Sequence, residues 1–305
     1  MFNCATAQTD IIMRFKILLL VAMVIGAVSC KSVDVPMDVT IGGEVLTTVN
    51  VDIPEVSRAA SGEGFDLSTL GSQSGYEMRF ILEIYYQDKC ASRQVKYVSE
   101  PSTAFDVRLA PERNYRFVVW ADIVAKVDTR DMSADYDHYY ETSSSLTNVQ
   151  IVDTLWRCNA LERDAYTGYA DVVNFSSASS INVSLVRPFA MLNVVTTDYA
   201  SQVDKLNVVY EGVPTTFNAY EGEVGESVAK SHIIPFNVAD GSVVGGEQTL
   251  FTDYIFAPTK NTSLKFSMRA YDGVDHLIKE NNFHSGITIK RNTLTTVKGR
   301  LLSGN

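Results

Sequence analysis

The chain is poor in the residues that most active sites need. Its four histidines, His138, His232, His276 and His284, never stand at the i, i+2 or i, i+4 spacing of a zinc pair. HExxH and CxxC are absent, so nothing points to a zinc hydrolase or a redox dithiol. "GSQSG" at 71–75 has Gln73 where a nucleophile elbow needs serine, with no strand-to-helix pattern around it. Gly245-Gly246 lacks both the spacing and the helix of a phosphate cradle. The sequence therefore predicts no enzyme, no cofactor and no metal. Proline is scarce as well, at 8 residues, and with 46% apolar residues the composition excludes a disordered stalk.

Basic residues are outnumbered, 26 against 36 acidic, for a net charge of −10. This balance argues against nucleic acid and against attraction to anionic lipid headgroups. Long apolar runs are missing except for one, Ile17 to Val28, which is short for a membrane span and follows the basic residues Arg14 and Lys16. It reads as a secretory signal over residues 1–29, with Met13 as the initiator. The run closes at Ala27-Val28-Ser29-Cys30, which resembles the bacterial lipobox, with Ala27 where leucine is usual. The expectation is acylation at Cys30 and membrane attachment through lipid alone. Two further cysteines, Cys90 and Cys158, remain in the exported part; one disulfide and two buried thiols are both compatible with the sequence.

Period-2 alternation is plentiful. In "VLTTVNVDI", Val45, Val49, Val51 and Ile53 share one face with Thr47. "AFDVRLAPERNYRFVVW" predicts a hairpin turning at Pro111 to Asn114. Strands are predicted at 78–87, 180–186, 191–197, 205–210, 253–258 and 263–271, all rich in β-branched and aromatic residues. Short helices or turns are expected at 66–70 and 161–170. The fold is expected to be all-β, two sandwiches of short antiparallel strands. The chain passes from one to the other near Arg187-Pro188, because proline belongs between strands. The domains are thus 30–187 and 188–305. The closing "GITIKRNTLTTVKGRLLSGN" predicts a strand at 287–289, a turn at 290–293 and a terminal strand from Leu294.

Two polar stretches need weighing. "VDTRDMSADYDHYYE" (127–141) offers Asp128, Asp131, Asp135 and Asp137, but lacks the spacing and turn glycine of a calcium loop. Its tyrosines, Tyr136, Tyr139 and Tyr140, would form a sugar-stacking platform if exposed. Asp153-Thr154-Leu155 resembles the Asp-Ser/Thr-apolar acceptor of protein O-glycosylation in exported proteins of Gram-negative gut anaerobes, which makes Thr154 the candidate acceptor.

"VNVDIPEVSRAASGEG" after a lipobox, "YRFVVWADIV", "LVRPFAMLNVVTTD", "VPTTFNAYEGEV" and "ITIKRNTLTTVKGRLL" together resemble the fimbrillin-like surface lipoproteins of Gram-negative gut and oral anaerobes. The resemblance covers about residues 30 to 302. It implies two transthyretin-like β-sandwich domains in tandem, a lipid anchor in the outer membrane, and a structural or adhesive place in surface fimbriae. In polymerising members a protease cuts after an arginine and opens a groove for a strand of the next subunit. Carried over by position, that cut falls between Arg58 and Ala59. The terminal run, anchored by Leu294, Val297, Leu301 and Leu302, is then the candidate donor strand. The implied partners are like or related fimbrial subunits. The other reading is a monomeric outer-membrane lipoprotein that binds a glycan or a host protein.

Overall fold

Alternation with a period of two puts every second side chain on one face, and such segments bury that face by pairing into sheets. A computed structural model describes residues 43–56, 64–71, 75–126, 137–177, 180–236 and 246–303. They are all-β, as expected. The first strands are β1 (Val45–Asp52), β2 (Tyr76–Tyr86), β3 (Lys89–Val98), β4 (Ser102–Leu109), β5 (Tyr115–Ala125), β6 (Tyr140–Glu141), β7 (Val149–Ile151), β8 (Ala165–Val172) and β9 (Ile181–Ser184). There follow β10 (Phe189–Thr196), β11 (Lys205–Pro214), β12 (Thr216–Asn218), β13 (Glu223–Val224), β14 (Ser227–Pro235) and β15 (Gln248–Phe256). The last are β16 (Thr262–Leu264), β17 (Phe266–Tyr271), β18 (Leu277–Asn282), β19 (Ile287–Ile289) and β20 (Thr293–Gly299).

One topology occurs twice. In the first set, β1 lies between antiparallel β4 and parallel β9, and this sheet faces a second of order β3-β2-β5-β8. In the second set, β10 lies between antiparallel β15 and parallel β20, facing a sheet of order β14-β11-β17-β18. Val49, Val51, Phe105 and Val107 meet Phe80, Leu82, Phe117 and Val119 in the first core. Leu192, Val194 and Phe251 meet Leu206, Val208, Phe266 and Met268 in the second. Leu185 belongs to the first cluster and Phe189 to the second, with Arg187 between them.

Two expectations are corrected. Residues 104–120 do not form a hairpin: β4 pairs with β1 and β5 with β2, so the turn joins the two layers. Alternation reports which face is buried, and Phe105 and Phe117 bury theirs against the same core from opposite sheets. The helix or turn expected over 161–170 shrinks to a 3-10 turn at Leu161–Arg163, after which β8 pairs along β5.

The β3-β2-β5-β8 sheet is covered on both faces. Ile81, Tyr85, Val118 and Trp120 turn away from the first core and pack into the second. Arg79, Glu83 and Asp122 are fully buried on the same strands. The covering layer is the connection 137–164, whose β7 pairs with β12 of the second set.

Four buried guanidinium–carboxylate pairs fix this layer. Arg79 makes a fork to Asp122 (2.8 and 2.6 Å) and reaches Asp137 at 2.8 Å. Arg93 bonds Glu83 at 2.5 Å and the Thr142 carbonyl at 2.8 Å, while Glu83 also accepts the Leu146 amide at 3.0 Å. Arg163 bonds Asp253 at 2.7 Å, and Arg187 makes a fork to Asp164 at 2.7 and 2.5 Å. Gly64 crosses against that last pair: a Cβ there would lie 2.1 Å from Arg187 Nη2 and 2.4 Å from Asp164 Oδ2, so no side chain fits without displacing it.

Removing one member of a buried pair strands the other charge. Asp164→Leu should lower the unfolding free energy by about 3–5 kcal/mol, read from the urea midpoint. Arg187→Met combined with Asp164→Leu should recover most of that loss; equal destabilisation in the single and the double variant would refute the pair's role.

Candidate functional site

The candidate functional elements are the first and the last strand among the described residues, β1 and β20. Thr47, Val49 and Val51 of β1 are buried, Val45 is half-buried, and the alternate residues face outward. β1 is a central strand. It is paired with β4 from Val45↔Leu109 to Asp52↔Ser102, and with β9 from Val49↔Ile181 to Asp52↔Ser184. The sites expected at Cys30 and at Arg58 and Ala59 lie outside the described residues.

The terminal run pairs within its own chain. β20 runs parallel to β10, from Ala190↔Thr293 to Thr196↔Gly299, and its other edge has no ladder among the described residues. Of the four expected anchors, Leu294 is 40% exposed and Val297 half-buried. Leu301 and Leu302 are buried, but they lie beyond the strand, which ends at Gly299. What holds them is Asp198, unremarked in the sequence. Its carboxylate accepts the amides of Leu301 (3.0 Å), Leu302 (3.1 Å) and Ser303 (2.8 Å), and the hydroxyls of Thr196 and Ser303. Partial burial works against the charge, but these hydrogen bonds outweigh it and hold the carboxyl well below the usual range.

Thr154 is exposed, on a 3-10 turn at Asp153–Leu155. In the acidic stretch, Asp128, Asp131, Asp135 and Tyr136 lie outside the described residues. Asp137 is committed to Arg79 and to the amide (3.0 Å) and hydroxyl (2.8 Å) of Thr142. Tyr139 and Tyr140 are buried, at 4% and 0% exposure, so they form no exposed platform. Their rings complete the second core, where Tyr140 lies 5.3 Å from Trp120. Cys90 and Cys158 are not joined in a disulfide. Burial beside Asp253 pushes the Cys158 thiol well above its ordinary value, which leaves it unreactive.

A surface cleft of about 610 Å³ opens where the tip of the first set meets the loop after β12. Its walls are the Gln87-Asp88 turn between β2 and β3, the 112–114 turn between β4 and β5, the end of β8, and Tyr220-Glu221. The Arg116 guanidinium lies between the rings of Tyr169 and Tyr220, 4.8 Å from each, and makes a fork to Asp171 at 2.7 and 2.9 Å. Arg113 sits 4.9 Å over the Tyr86 ring. These residues are scattered over 135 positions of sequence, from 86 to 220, and carry no motif. Of the cleft walls, only the turn at Pro111 to Asn114 was readable.

The chain thus falls in the class of all-β sandwich proteins, with one strand order that occurs twice. It belongs to the family of unknown function DUF6562, whose model matches residues 39–305. No curated protein sequence matches it. Among solved structures, it is similar in fold to a candidate cell adhesion protein from Bacteroides eggerthii, with TM-score 0.50 and 11% identity over 87% of this chain and 89% of that one. A fimbrial assembly protein from Parabacteroides distasonis aligns with TM-score 0.45 and 11% identity over 84% and 90% of the two chains. The fimbrial anchor protein Mfa2 from Porphyromonas gingivalis aligns with TM-score 0.43 and 11% identity over 79% and 83%. The all-β sandwich fold is of the class that the fimbrillin-like resemblance implied.

The Asp198 latch has a defined pH response. A carboxyl held lower in the folded state contributes fully above its unfolded value of about 4, and the contribution fades as pH falls through the folded value. Asp198→Ala should loosen the tail by about 1–3 kcal/mol at neutral pH, seen as faster hydrogen exchange at Leu301 to Ser303. Acidification should reproduce the effect in the wild type and change the variant little. Exchange that is equally slow in both proteins would exclude the latch.

Proposed function

We propose that the protein is an exported structural or adhesive component of surface fimbriae, tethered to the outer membrane by lipid on Cys30. Assembly proceeds by cleavage after Arg58, departure of β1, and entry of a neighbouring subunit's strand between β4 and β9. The observation that carries this reading is the placement of β1. β1, the first strand among the described residues, is the middle strand of its sheet, and it ends six residues before Arg58. Its inward apolar residues Val45, Val49 and Val51, with the buried Ile53 just past its end, contribute at most on the order of 6–12 kcal/mol at about 1.5–3 kcal/mol for each full burial. That is comparable with a domain's whole margin of about 5–15 kcal/mol, so a vacated groove must be refilled. Strand addition does this by backbone pairing and side-chain pockets together. The shared fold with a candidate cell adhesion protein supports the adhesive part of the reading.

Two outcomes are expected. Cys30→Ser should move the protein from the detergent-soluble membrane fraction to the soluble fraction, because lipid is the sole anchor; unchanged membrane retention would refute the tether. Native trypsin treatment of the purified protein should give ladders in the wild type and none in Arg58→Ala. A cleaved protein that stays monomeric and folded would rule out strand exchange.

A further inference from the structure

We infer that the cleft between the Gln87-Asp88 turn and Tyr220 is a binding site for neutral saccharides. The inference rests on the adhesive part of the function proposed above and is independent of strand exchange.

The chemistry of the walls carries it. A pyranose presents C–H faces and pairs of adjacent hydroxyls. The first suit aromatic faces, whose π-cloud is negative, and the second suit planar side chains that engage two atoms at once. The cleft combines both. Tyr86 and Tyr220 supply half-exposed rings, and Asp88, Glu112 and Glu221 supply carboxylates on its exposed rim. Its volume falls within the roughly 300–1,000 Å³ typical of small-ligand sites.

The groups are also held in place before any ligand arrives. The Tyr220 hydroxyl donates to Asp88 at 2.6 Å, and its ring lies 4.6 Å from the buried Tyr85. Gln87 donates to the Tyr86 hydroxyl at 3.1 Å. Gln87, Asp88 and Glu112 have φ of 50°, 58° and 59°, so three of the seven described non-glycine residues in the left-handed region line this one cleft. At Gln87 and Asp88 this is the backbone that a two-residue hairpin turn requires, and it fixes the direction in which both side chains leave the turn.

Charge and shape select the class. Asp171 neutralises Arg116, which leaves Arg113 against Asp88, Glu112 and Glu221. This acidic surplus disfavours sialylated, uronate-bearing and sulfated chains. An extended peptide would need a run of free strand edge for its backbone, whereas β2 and β5 are paired on both sides here and the edge strand β8 contributes only its last two residues, Asp171 and Val172, to the walls.

The test uses the purified exported chain on an array of neutral, sialylated, uronate-bearing and sulfated oligosaccharides, followed by calorimetry with the strongest binder. Saturable binding confined to neutral glycans is expected. Val173 lines the cleft and is 76% exposed, so Val173→Asp adds a charge without touching a core. It should weaken binding about tenfold or more, as should Tyr220→Ala, while Tyr199→Ala, at an exposed tyrosine outside the cleft walls, should leave binding unchanged. No neutral glycan bound, a preference for acidic glycans, or wild-type affinity in Val173→Asp would each overturn the inference. Ladder formation after trypsin is read separately, so a failure here leaves the assembly model standing.

Discussion

The architecture depends on removing guanidinium groups from water at the layer between the two cores. Burying one such ion costs several kcal/mol, returned only where a carboxylate meets it with good geometry. Arg79, Arg93, Arg163 and Arg187 each have such a partner. Every one of these contacts involves the 137–164 connection or a strand it covers. Asp137, Thr142, Leu146, Arg163 and Asp164 belong to that connection. A segment with little regular structure is thereby held in one place, and it lets both faces of the β3-β2-β5-β8 sheet be dry. Hydrophobic packing alone would tolerate several placements of this connection; forked pairs at about 2.7 Å tolerate few.

This accounts for which parts of the fold were legible in the sequence. Strands with one wet face, such as β1 and β4, alternate cleanly and were readable to within a residue or two. β2 and β5 read as nearly continuous apolar runs because the second face is also covered. β3, β14 and β18 escaped notice because they lie at sheet edges with half-buried or exposed side chains, where alternation fades. The repeated strand order left no trace in the residues, since a topology constrains which positions are apolar and not which residue fills them. Of the functional elements, β1 was readable from local pattern. The Asp198 latch and the cleft were not, because each joins residues about 100 or more positions apart.

The parallel terminal strand of each set, β9 in the first and β20 in the second, occupies an equivalent edge, and β1 and β10 occupy equivalent centres. That equivalence constrains any exchange of strands. A strand that replaces β1 must pair on both sides at once, antiparallel to β4 and parallel to β9, and must present side chains like Val45, Thr47, Val49 and Val51 to the core. β20 is fitted to a different task. Its inward set is Thr293, Thr295, Val297 and Gly299, with a single large apolar residue, and it pairs on one side only. The apolar grip of the tail comes from Leu301 and Leu302, past the strand and under the control of Asp198. If the tail is the donor in the strand exchange proposed above, residues 294–302 must enter the β1 groove as a whole, with Leu301 or Leu302 drawn into strand register. On that proposal the latch opens first, and the hydrogen bonds to Asp198 set how readily the tail leaves.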